Sequence, residues 1–100
     1  MESSNIDKLL DQKIGDLEFK KENASDPEDT LYAHRSEFGS ITVLDRMTGF
    51  GHRDIETGFK DKNDKFWLAS GNFSIRRFPE LTVREAIEKI KENANTCVGI

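Results

Sequence analysis

His52, Asp54 and Glu56 recur at every second position, so on an extended strand all three side chains leave one face. An imidazole and two carboxylates projecting together are the raw material of a divalent-metal site or an acid/base pair. Neighbours at i and i+2 on a strand stand about 6 to 7 Å apart, too far for three donors to close on one ion without further ligands. The plainer alternative is the solvent face of a strand whose other face carries Ile55 and Phe59. His52, Asp54 and Glu56 therefore stand as a weak metal or acid/base candidate, and no cofactor is expected.

Nucleophilic chemistry has less to work with. Cys97 is the only cysteine, which excludes an intrachain disulfide and a cysteine-rich zinc site. Its expected place is the apolar face of a terminal helix, where a cysteine packs as a small hydrophobe. His34 stands between Tyr32 and Arg35 with no nucleophile beside it, and neither a nucleophile elbow nor a phosphate loop is present. These absences point to a chain that is not an enzyme.

Binding chemistry has more support. Residues 1–30 carry a net charge of −5, residues 31–79 of +2 and residues 80–100 of −1, within a formal total of −4. All six arginines lie between Arg35 and Arg84, and six of the nine aromatic residues lie between Phe50 and Phe78. Arginine interleaved with aromatic rings is what contact surfaces use, for protein partners and for nucleotide phosphates and bases alike. Phe66 and Trp67 are consecutive, so on a strand they face opposite ways and one is left for a partner or for the amino-terminal helix to cover. Trp67, Arg53, Arg76, Arg77 and Phe50 are the candidate partner-binding residues.

Thr48-Gly49-Phe50-Gly51 is similar to the middle of the RNA-recognition-motif signature, but Thr48 replaces its basic residue and His52 its next aromatic. The helix between the first two strands is also missing, so that family is not assigned. The glycines are read as a bend.

The elements that position these residues follow from periodicity. With 100 residues, 35% hydrophobic and 34% charged, the chain is read as a single small domain, 1–100, with one core. Ile6, Leu9, Leu10 and Ile14 mark a short amphipathic helix over about residues 5–14, within an amino-terminal helix and extension, 1–19. Residues 20–30 read as an acidic loop able to shield the sheet when it is empty. A β-meander fills 31–78: a β-branched run over 40–47, an alternating run over 53–60 with Ile55, Thr57 and Phe59 on one side, a polar turn at 61–65, and further strands at 66–69 and 73–78. Thr82 and Glu85 form a capping box opening an amphipathic helix over 82–97. The expected fold is α+β in two layers: a three- to four-stranded antiparallel meander packed by the carboxy-terminal helix, with a short amino-terminal helix.

No run of about 18 apolar residues and no secretory leader is seen, so the expectation is a cytoplasmic chain with no membrane association. The leading functional expectation is a small non-enzymatic interaction or regulatory protein that binds a protein partner, or its own copy, through the arginine/aromatic sheet surface. The alternative is a nucleic-acid or nucleotide-phosphate binder using the same arginines. A metal-assisted or acid/base enzyme centred on His52, Asp54 and Glu56 comes third.

Overall fold

The computed structural model of the chain describes residues 2–47 and 51–99, with side chains from Asn5 onward. The two runs with the strongest alternation form its centre. β3 (Gly39–Met47) and β4 (Arg53–Lys60) pair antiparallel from Ser40 opposite Lys60 to Met47 opposite Arg53. That register sets Ile41, Val43 and Asp45 beside Phe59, Thr57 and Ile55 on one face, as the sequence pattern predicts.

Around them the sheet is larger than expected. It has six antiparallel strands in chain order, completed by β1 (Lys20–Glu22), β2 (Thr30–Ser36), β5 (Phe66–Ala69) and β6 (Thr96–Val98). The three- to four-strand expectation misses both edges. β1 falls in the stretch read as a loop: Lys-Lys-Glu carries no β-forming pattern, and its extended backbone is held by the β2 edge, Lys21 opposite Tyr32. The run 73–78, expected as a strand, instead crosses over the sheet with a single 3-10 turn at Ile75–Arg77. It is pinned by Thr57, whose hydroxyl donates to the Phe73 carbonyl at 2.8 Å and accepts from the Ile75 N–H at 3.1 Å.

α2 (Val83–Asn93) lies over the sheet because its apolar stripe has no other surface to bury against. Val83, Ala86 and Ile90 join Ile41, Val43, Phe59 and Ile75 in one core, where each large side chain removed from water stabilises by roughly 1.5–3 kcal/mol. The Thr82 hydroxyl accepts from the Glu85 N–H while the Glu85 carboxylate accepts from the Thr82 N–H, so the predicted capping box is present. The helix stops at Asn93, short of the expected 97. Ala94 turns extended, and Cys97, expected on the buried stripe, is an exposed residue of β6.

At the amino end, α1 (Glu2–Leu10) is shorter than the expected 5–14 helix and starts earlier. The chain after it forms a clip instead: Ile14 N–H donates to the Leu81 carbonyl and Val83 N–H to the Gln12 carbonyl, each at 2.8 Å. A buried Ile14 closes the core at that point. Among the described residues no helix is long and apolar enough to cross a membrane.

Candidate interaction surface

The rung that pairs Asp45 with Ile55 lies on the helix side of the sheet. There the 3-10 turn projects two consecutive arginines. Tyr32, Val43 and Ile55 from three neighbouring strands, with Asp45, Ser74, Arg76 and Arg77, line a shallow hollow of about 310 Å³.

Each cation around this hollow is held differently. The Arg76 guanidinium lies 4.9 Å from the Tyr32 ring centroid and 5.4 Å from that of Phe19, a cation–π arrangement that fixes the side chain without neutralising it. Arg53 donates to Asp45 Oδ2 at 2.6 Å, while the other carboxylate oxygen, Oδ1, is buried without a hydrogen-bond partner among the described residues. Arg77 is exposed and makes no ion pair with a described residue. Three guanidinium groups against one carboxylate leave the locality positive.

Arg76 and Arg77 thus share the lining of the hollow, Arg53 joins it through Asp45, and Trp67 is separated from them. Trp67 pairs with Phe59, four residues along β4 from Ile55, which is about 13 Å at the strand rise. Its ring stacks on Phe59 at 5.6 Å, with the ammonium groups of Lys91 and Lys65 at 4.5 and 5.2 Å from its centroid. Phe66 takes the opposite face, as the alternation requires, and its ring lies over Gly58, where a Cβ would meet it at 2.8 Å. Phe50 lies outside the described residues.

The carboxylates of the candidate metal cluster are tied elsewhere. Asp54 Oδ1 accepts the Asn72 N–H at 3.0 Å, and Glu56 Oε2 lies 3.2 Å from Arg46 Nη1. His52 precedes β4 and is exposed. Among the described residues no group of three or more His, Cys, Asp or Glu side chains is gathered as a metal would need.

One further charged pair stands apart from the hollow. Glu22 and Arg35 meet in a two-pronged bond, Nη2 to Oε1 at 2.7 Å and Nε to Oε2 at 3.1 Å. The bonds from Arg35 hold the Glu22 carboxyl below its ordinary range, and Glu22 raises Arg35 further in turn.

Sequence reasoning did not single out Tyr32, Asp45 or Phe19. The β2–β3–β4 register carries Tyr32 and Asp45 there. Phe19 reaches it from a segment outside any regular element, where the alternation of Leu17 and Phe19 with charged residues is too short to fix a register. Comparison of the chain with protein-family models, curated proteins and solved structures finds no match.

Proposed function

We propose that this chain is a non-enzymatic, cytoplasmic interaction protein, and that the hollow lined by Arg76 and Arg77, with Arg53 bonded to its Asp45, receives an acidic segment of a protein partner. The observation that carries this reading is the pair Arg76 and Arg77: one guanidinium fixed on two rings, the other without a carboxylate among the described residues, both beside a floor of Tyr32, Val43 and Ile55. An arginine held in place by stacking loses less freedom on binding, and arginine with aromatics is the composition of contact hot spots. The exposed free thiol of Cys97 fits a reducing compartment.

Amide NMR titration with a short glutamate-rich peptide tests it. Shifts at Ile55, Ser74 and Arg77 are expected, and an Arg76→Ala/Arg77→Ala double variant should bind at least about ten-fold more weakly, or ~1.4 kcal/mol. Unmoved amides around the hollow at low salt would remove the proposal.

The same cations suit phosphate, and a guanidinium flat on aromatic rings is also a stacking platform, so a nucleic-acid ligand is the second reading. A single-stranded oligonucleotide that shifts the hollow's amides where the acidic peptide does not would move the assignment to it.

A further inference from the structure

We propose that β6 is a docking edge that takes up an extended acidic peptide as a seventh strand. The hydrogen-bond pattern of the sheet fixes which backbone groups of this strand are already paired. Asp61 N–H donates to the Lys65 carbonyl at 2.9 Å, which makes 61 and 65 a hydrogen-bonded pair at the turn between β4 and β5. Bonded and non-bonded pairs alternate along an antiparallel ladder, so Phe59 and Trp67 are bonded to each other and the main-chain groups of Phe66 and Leu68 face β6. Those groups meet Thr96 and Val98 in the β5–β6 register, and the Leu68 carbonyl also accepts from the Asn95 N–H at 3.0 Å, one residue before Thr96, as at a bulge where the strand begins. By the same alternation the N–H and C=O of Cys97 point away from β5, to the open edge.

That edge is short but carries no charge to blunt it. Natural edge strands carry charges that discourage further pairing, and β1, at the other side of the sheet, does so with Lys20, Lys21 and Glu22. Thr96, Cys97 and Val98 carry no charge and all three are exposed, Val98 by 59%.

The chemistry of the occupant follows from what stands beside the edge. Cys97 is opposite Trp67, on the face where Lys65 and Lys91 cover the indole, and neither lysine is ion-paired with a described residue. The Lys65 stem packs on Gly99, where a Cβ would lie 2.9 Å from its Cγ. A residue paired with Cys97 in an added strand shares that face. A carboxylate there meets two ammonium groups. A second copy of the chain, added about a two-fold at Cys97, meets a second Lys65 and Lys91 instead, so like charges disfavour it.

This inference does not rest on the arginine hollow, and the two are read at different amides. The probe is an end-blocked nine-residue peptide of alternating glutamate and valine. Shifts are expected at Cys97, Gly99 and the Trp67 indole. Cys97→Pro removes the outward N–H and no bond of the β5–β6 ladder, so it should bind at least about ten-fold more weakly, whereas Cys97→Ala binds as the parent does. Lys65→Glu/Lys91→Glu should weaken the glutamate peptide by a similar factor and improve binding of its lysine counterpart. Undiminished binding by Cys97→Pro, shifts confined to Ile55, Ser74 and Arg77, or a dimer in sedimentation that Cys97→Pro abolishes would each overturn the proposal.

Discussion

Thr57 uses one hydroxyl twice, as donor to the carbonyl before the 3-10 turn and acceptor from the N–H within it, and it does so fully buried. Thr57→Val keeps the shape but strands two main-chain groups, so a loss of about 1–3 kcal/mol is expected in urea unfolding. The turn it pins carries Arg76 and Arg77, so the same variant should also weaken binding at the hollow. A different residue sets the acid response. Because Arg35 depresses the Glu22 pKa in the folded chain, the contribution of Glu22 is fully present above the ordinary carboxylate value, 4.5, and is lost as pH falls through the lower, folded value. Stability followed through that acid range should fall less steeply in Glu22→Gln than in the parent; equal slopes would show that the pair is too exposed to matter.

Between elements, the legible parts are those whose side chains alternate or repeat because one face is buried. The faces of β3 and β4 could be read for that reason, and the turn at 61–65 and the Thr82 cap from the residue types that turns and caps require. Thr82→Ala should cost about 1 kcal/mol and lower helix stability without disturbing the sheet, measurable by thermal unfolding. The illegible parts are those fixed by backbone contacts. Ala94 and Cys97 continue the helical stripe in sequence, yet the chain leaves the helix at Asn93, whose side-chain amide donates back to the Lys89 carbonyl at 2.8 Å. The three residues then available join the free side of β5, a choice set by the sheet. Phe73 and Ile75 alternate like strand residues, but the side of β5 they would need is filled by β6. Of the candidate site, Arg53, Arg76 and Arg77 were legible as types, whereas their distance from Trp67 depended on a crossover that no local pattern announces.

Across the molecule, the net charge of −4 conceals an uneven distribution, with positive side chains concentrated at two places: around the 3-10 turn and over Trp67. The strand order has its own consequence, for how the molecule opens. From β1 to β5 every strand pairs with its predecessor across a short connection, so those ladders close with little loss of chain entropy. β6 is the exception: residues 70–95, with α2 among them, separate it from β5. It is held by three residue pairs and buries no side chain fully. Sub-global opening should therefore start there, and the β5–β6 amides should exchange with deuterium orders of magnitude faster than those of β3 and β4. This three-residue strand would then behave as a hinged flap, its departure laying bare the hydrogen-bonding side of Phe66 and Leu68 while the rest of the sheet stays shut.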